Sequence, residues 1–195
     1  MSLTVERSVG AAAAGDAVPV SNEAGCSSSP TVTVGIPAYC NEGTIARAIE
    51  SVLAQTYANF RLLIADDRSS DATFSICEEY AARDPRITVV RNEQNLYFMN
   101  FGALVERAES EYFVWLAGDD YWRPEFLRAC IDQLEARPDI VCCAPKCLYT
   151  SENGLTLALG TYTILGEHVD MVQQYLRRIV DYNGDNCRMY GVYRT

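Results

Sequence analysis

Thr31-Val32-Thr33-Val34-Gly35-Ile36-Pro37 is a β-branched run that stops at proline, and from Thr44 onward Ile45, Ala48, Ile49, Val52 and Leu53 recur at helical spacing. That order predicts strand, loop, helix. The pattern then repeats: Phe60 to Ala65 predicts a second strand, Asp66-Asp67-Arg68-Ser69-Ser70-Asp71 a loop, and Ala72 to Arg83 a helix. Ile87 to Val90 predicts a third strand, Asn100 to Ala108 a helix, and Tyr112-Phe113-Val114-Trp115-Leu116 a fourth strand. Pro124 suits the first turn of a helix whose Leu127, Cys130, Ile131 and Leu134 share a face, and Ile140 to Ala144 follows as a buried strand. Beyond Ser151 the periodicity weakens, with Glu167 to Val180 as a candidate helix and Met189 to Tyr193 as a short strand. Alternation of this kind predicts an α/β fold: a Rossmann-like, mostly parallel sheet with helices on both faces.

In open sheets of this type ligands bind beyond the carboxyl ends of the strands. The loops there read Pro37-Ala38-Tyr39-Cys40-Asn41-Glu42, Asp66 to Asp71, and Gly118-Asp119-Asp120, and carboxylates recur in all three. The chain has no GxxxxGK[ST] loop and no GxGxxG fingerprint to cradle phosphate with backbone amides. A cation could do that work instead, because clustered carboxylates are hard oxygen ligands suited to Mg2+ or Mn2+.

Composition narrows the partners. At 195 residues the chain suits one sizeable domain, and a net charge of -10 with a sequence pI near 4.6 argues against nucleic acid. Residues 1 to 29 read as a disordered leader, leaving 30 to 195 as the folded domain. No apolar stretch approaches the ~20 residues of a transmembrane helix, and no secretory signal is evident, so the expected setting is the cytoplasm or the inner face of the membrane as a peripheral protein. Eight cysteines without a CxxC pair, and the single histidine His168, read as mostly buried thiols rather than a zinc site.

From Thr31 to about Pro145 the chain resembles the nucleotide-binding part of the family 2 glycosyltransferases, which have the type A nucleotide-diphospho-sugar transferase fold. The resemblance rests on "VTVGIPAYCNE", "SVLAQTYANFRLLIADDRSSD", "RNEQNLYFMNFGALVERAESEYFVWLAGDDYW" and the tail "YGVYRT". It implies transfer of a sugar, with inversion, from a nucleotide diphosphate, a UDP-sugar foremost, to a hydroxyl of a glycan, a lipid-linked saccharide or a protein. It also implies that Pro37, Ala38, Tyr39 and Glu42 lie along the nucleotide with Tyr39 near the base, and that Asp67 contacts the uracil or ribose. Asn95 and Asn100 fall in a matching segment, while Asp119 and Asp120 match the DxD-like motif that holds Mn2+ or Mg2+ and the sugar diphosphate. The match departs from the pattern at Ala117-Gly118, where many relatives have an aspartate two positions before the one matching Asp119.

Plainer roles compete at several positions. Ser70 and Asp71 suit capping of the following helix, and Asp119 and Asp120 could serve as turn residues before a helix. Trp122 could line an acceptor pocket or pack beneath the loop, and His168 reads as a surface residue. The family's general base lies in the acceptor half, for which the tail offers Glu167, Asp170, Asp181 and Asp185 without a motif to select one. Residues 151 to 195 therefore read as a partial acceptor region, in a truncated or a compact transferase. Two alternatives remain: a noncatalytic nucleotide-sugar-binding fragment and, behind it, a response-regulator receiver with Lys146 after its fifth strand.

Overall fold

The computed structural model describes residues 31–144, 148–150, 156–159 and 191–195. Four parallel strands lead: β1 (Val32–Ala38), β2 (Phe60–Asp66), β3 (Ile87–Arg91) and β4 (Tyr112–Trp115). Between them run α1 (Ile45–Leu53), α2 (Thr73–Ala81) and α3 (Met99–Glu106), and α4 (Phe126–Ala136) follows β4. Four short strands complete the description, β5 (Cys142–Cys143), β6 (Leu148–Thr150), β7 (Thr156–Leu159) and β8 (Val192–Arg194). The main sheet has the order β3-β2-β1-β4-β8-β5, and β6 and β7 pair separately as an antiparallel ribbon.

This is the expected α/β sheet with helices on both faces. Val32, Val34, Ile36, Leu62, Ile64 and Val114 form one buried face of the sheet with Ile45, Ile49 and Val52 of α1, Cys77 of α2 and Leu127, Ile131 and Leu134 of α4. The opposite face is covered by α3, where Leu104 packs with Leu63, Ala65 and Phe113. A strand buried on both faces reads as a continuous apolar run, and β1 and β2 do so for that reason.

Gly35 sits at the middle of β1 because Phe113 comes too close for a side chain there. A Cβ at Gly35 would lie 2.8 Å from Phe113 Cζ and 3.4 Å from Leu104 Cβ. Pro37 occupies a central strand yet costs no ladder bond on the β4 side. β1 pairs with β2 through Ala38, but its pairing with β4 stops at Gly35 opposite Trp115. Past that point β1 has a partner strand on one side, the condition under which a proline is tolerated in a sheet.

The structure departs from the sequence expectations in three places. Pro124 falls before α4, in the turn that precedes it, where its carbonyl accepts the Thr56 N–H at 2.9 Å. The strand expected over Ile140 to Ala144 shrinks to Cys142–Cys143, whose two residues are half-buried. Burial of the thiols holds for Cys77 and Cys130, but Cys40 is exposed. Desolvation, reinforced by the charge of Asp66, pushes the Cys77 thiol up to about 12, so it is inert as a nucleophile.

The tail strand β8 enters antiparallel between β4 and β5, a position that local periodicity could not assign. It is locked there by Arg194, which donates to the Leu134 carbonyl at 2.9 Å and to the Tyr112 hydroxyl at 3.1 Å. The helix expected over Glu167 to Val180, the leader, Cys26, Cys147 and Cys187 lie outside the described residues. Gly35→Ala is expected to lower stability by about 1–3 kcal/mol through overpacking against Phe113, read as a lower denaturant midpoint with an unchanged slope.

Candidate donor-binding site

The chain order of the sheet creates the site. From β1 it winds outward to β2 and β3, then returns to β4 on the other side of β1, so the strand order reverses between β1 and β4. Ligands of doubly wound sheets bind at that reversal. The two strands also part there, since their pairing ends at Gly35 and Trp115.

The loop after β1 is pinned on both sides. Towards β2, Cys40 N–H donates to Ser69 Oγ at 3.0 Å, Asn41 N–H to Thr73 Oγ1 at 2.7 Å, and Glu42 N–H to Asp71 Oδ2 at 3.2 Å. The exchange is reciprocal, because the Glu42 carboxylate accepts the Ala72 N–H at 3.0 Å. Towards β4, Thr44 Oγ1 donates to the Gly118 carbonyl at 2.8 Å and Arg47 to the Asp119 carbonyl at 3.2 Å. Arg47 also lies over the Tyr121 ring, 4.6 Å from its centroid. Gly118 is where these loops touch, since a Cβ there would meet Asn41 Oδ1 at 2.6 Å.

Pro37, Ala38, Tyr39, Asp67, Asn95, Tyr97, Asn100 and Phe101 line a cavity of about 230 Å³ at the ends of β1 and β2. Its organising group is Asp67, which is 3% exposed. The Asp67 carboxylate accepts the Leu96 N–H at 2.7 Å, the Tyr97 N–H at 2.8 Å and Asn92 Nδ2 at 2.9 Å. Asn92 Nδ2 also donates to Asn100 Oδ1 at 3.0 Å, and Asn100 Nδ2 to the Ala65 carbonyl at 2.9 Å. Asn100 thus reads as a buried strut between β2 and α3, and Asn95 turns its Oδ1 to the Tyr97 N–H at 2.8 Å.

Three non-glycine residues have left-handed backbones: Cys40 (φ 52°), Arg68 (φ 67°) and Tyr97 (φ 53°), one in each loop after β1, β2 and β3. Each such residue costs roughly 1–2 kcal/mol, and such strain persists where surrounding hydrogen bonds over-determine the backbone. The bonds from Cys40 N–H and Tyr97 N–H supply that determination in two of the three.

Of the residues named from sequence, Pro37, Ala38, Tyr39, Asp67, Asn95 and Asn100 come together around the cavity. Glu42 does not line it; its carboxylate is spent on the first amide before α2. Asp71 serves the helix start as expected, accepting the Thr73 N–H at 3.0 Å. Asp119 and Asp120 stand exposed in the turn after β4, with Asp120 N–H donating to the Ala117 carbonyl at 3.1 Å. Trp122 packs on Phe126, ring centroids 4.5 Å apart, against the core. Glu167, Asp170, Asp181, Asp185, His168 and Lys146 lie outside the described residues. Sequence alone assigns no role to Asn41, Thr44, Arg47 or Asn92; Asn41 and Asn92 lie inside quoted motifs, but the Asn41 N–H reaches Thr73, 32 residues on, and the Asn92 side chain reaches Asp67 and Asn100, 25 and 8 residues away.

Among the described residues no group of three or more His, Cys, Asp or Glu side chains could hold a metal ion unaided. Mg2+ and Mn2+ are commonly held by one or two carboxylates, the remaining positions going to phosphate oxygens and water. The exposed Asp119–Asp120 pair fits that donor set.

A doubly wound domain with a cavity beside its strand reversal and an acidic turn across from it has the ligand-site geometry of open α/β proteins. The family model for glycosyl transferase family 2 matches residues 33–190, and the chain belongs to that family. Among the curated relatives, chondroitin synthase of Escherichia coli is 30% identical over 126 residues, covering 65% of this chain and 18% of the relative. Among solved structures, residues 1-349 of Staphylococcus aureus TarS superpose with a TM-score of 0.58 at 20% identity, over 84% of this chain and 47% of that one. The mannosyltransferase PcManGT of Pyrobaculum calidifontis, in complex with GDP-Man and Mn2+, gives 0.54 at 22% identity, over 60% and 35%. These likenesses show the type A transferase fold. The chain spans less than half the length of the curated relatives it matches, from 13% to 43%. No helix of the described residues is long and apolar enough to cross a membrane.

The loop bracing can be tested at two carboxylates. Asp67→Asn replaces an acceptor oxygen with a donor facing N–H groups; it should cost about 1–3 kcal/mol and speed hydrogen exchange at Leu96 and Tyr97. At Asp71, desolvation raises the pKa, but hydrogen bonds from the Thr73 side chain and from the Thr73 and Glu42 backbone outweigh it and hold the carboxyl below its usual 3.8. Its stabilisation is therefore complete above that value and is lost as pH falls through the folded one, so an NMR titration should place the Asp71 midpoint below 3.8.

Proposed function

We propose that this chain carries the donor-binding half of a glycosyltransferase that moves a sugar from a nucleotide diphosphate to an acceptor hydroxyl, with inversion and with a divalent metal. The observation that carries this reading is the aromatic-rimmed cavity and the exposed Asp119–Asp120 turn on the two sides of one strand reversal, in a member of this family. The nucleoside would occupy the cavity, between Pro37-Ala38-Tyr39 and the Asn95 to Phe101 segment. Asp67 would accept from the base or ribose at its rim, and Asn100 and Asn92 would keep it aimed there.

Asp119 and Asp120 would hold Mn2+ or Mg2+. Held by these carboxylates, such an ion would supply positive charge to stabilise a departing diphosphate. Arg47 and Thr44 fix the carbonyls of Asp119 and Gly118, which preorganises the turn before any ligand arrives. The reaction also needs a carboxylate within reach of the acceptor hydroxyl to take its proton as the new bond forms. Glu167, Asp170, Asp181 and Asp185 are the candidates for that base, in the segment from 151 to 195.

UDP-sugars stand first among donors, because crystals of TarS 1-349 hold UDP-GlcNAc, with GDP-sugars next from the Pyrobaculum enzyme. The acceptor would be a glycan, a lipid-linked saccharide or a protein, reached from the cytoplasm or from the inner membrane face. A noncatalytic nucleotide-sugar binder is the reading to exclude.

Thermal melting against UDP- and GDP-sugars tests the binding claim. A ligand at about 100 times its dissociation constant adds about 2.7 kcal/mol, or roughly 5–10 °C in Tm for a chain of this size. The shift should require Mn2+ or Mg2+ and should shrink in Asp120→Asn. Absence of any shift with every nucleotide sugar would remove the proposal, and binding without slow hydrolysis or transfer would favour the noncatalytic alternative.

A further inference from the structure

We infer that Tyr97 is a second aromatic wall of the nucleobase subsite, held over the cavity by the Asp67 carboxylate; the inference rests on the nucleotide-sugar reading above. Tyr97 is held in the left-handed region, at φ 53°, where glycine or asparagine would sit at little cost. Folding does not use its side chain to fill the core, since Tyr97 is 76% exposed. A bulky residue that is strained and unburied brings nothing to the fold at that point.

The backbone around it is nonetheless fully committed. Tyr97 N–H donates to Asp67 Oδ2 and to Asn95 Oδ1, both at 2.8 Å, and its carbonyl accepts the Asn100 N–H at 3.1 Å. Those bonds fix where the side chain leaves the chain, and the residue lines the cavity together with Tyr39, itself 52% exposed. Two solvent-facing aromatics on one small cavity are suited to a flat, unsaturated ring. Every nucleobase offers a π-face, so a stacking wall adds affinity without choosing between bases. Donor choice would then fall to the polar groups, with Tyr97 supplying affinity.

Substitution separates this role from a structural one. Tyr97→Gly, and Tyr97→Asn as a second variant that also accepts the left-handed backbone, should melt at or above the temperature of the unsubstituted chain. Both should bind UDP and GDP about tenfold more weakly by calorimetry with Mn2+ present, the scale of a lost base–aromatic stack. Tyr97→Phe should bind within about twofold of the parent, and pyrophosphate with Mn2+, which has no base, should bind all variants alike. UDP and GDP affinities left unchanged by both Tyr97→Gly and Tyr97→Asn, or an equal loss for pyrophosphate, would overturn the role of Tyr97 alone. Failure of the unsubstituted chain to bind any nucleoside diphosphate would overturn the nucleotide-sugar reading beneath it.

Discussion

After Gly35 and Trp115 the strands β1 and β4 stop pairing, while β1 continues beside β2 to Ala38. Every later feature of the site depends on that separation. Backbone groups at the end of a buried strand must still find partners, and here the loop after β1 finds them in both directions. It takes Ser69, Thr73 and Asp71 on the β2 side; on the other side Thr44, at its end, and Arg47, in the first turn of α1, donate to the carbonyls of the β4 turn. One loop therefore sets the distance between the cavity and the acidic turn.

The carboxylates of this anionic chain divide by what they touch. Asp66 is fully buried and pairs with Arg91 Nε at 3.2 Å; Asp67 accepts from three donors while lining the cavity, and Glu42 and Asp71 accept from amides at the start of α2. Each of these carboxylates has at least one oxygen engaged by an N–H donor of the fold, while Asp66 Oδ1 is buried without a partner among the described residues. Asp119 and Asp120 are exposed in the turn after β4, beyond the point where β1 and β4 stop pairing. Two adjacent carboxylates repel one another in water, and the divalent cation of the proposed function would offset that repulsion.

Strain follows the same geography. Cys40, Arg68 and Tyr97 adopt left-handed backbones in three successive loops, all on the carboxyl-end side of the sheet. The helices and the buried strands are relaxed by comparison, with their apolar residues in contact and no non-glycine residue of the described set at positive φ outside those loops. Tolerance of strain at the site is supported by the rigidity of the sheet beneath it.

Periodicity along the chain determined the elements and their class: β-branched runs for β1 and β2, the Ile45 to Leu53 face of α1, the Leu127 to Leu134 face of α4, and acidic loops at the strand ends. These are local signals, because burial on one face imposes its spacing on residues close in sequence. The family resemblance also pointed to most of the cavity wall, from Pro37 to Tyr39 and on to Asp67, Asn95 and Asn100. Only the tertiary structure decided the insertion of β8 beside β4, the use of Glu42 as a brace, the capture of the Leu96 and Tyr97 amides by Asp67, and the strained exposure of Tyr97. Each of those depends on groups far apart in the chain, 82 residues in the case of Arg194 and Tyr112, that meet through strand pairing and loop packing, and a pattern read along the chain carries no record of that pairing.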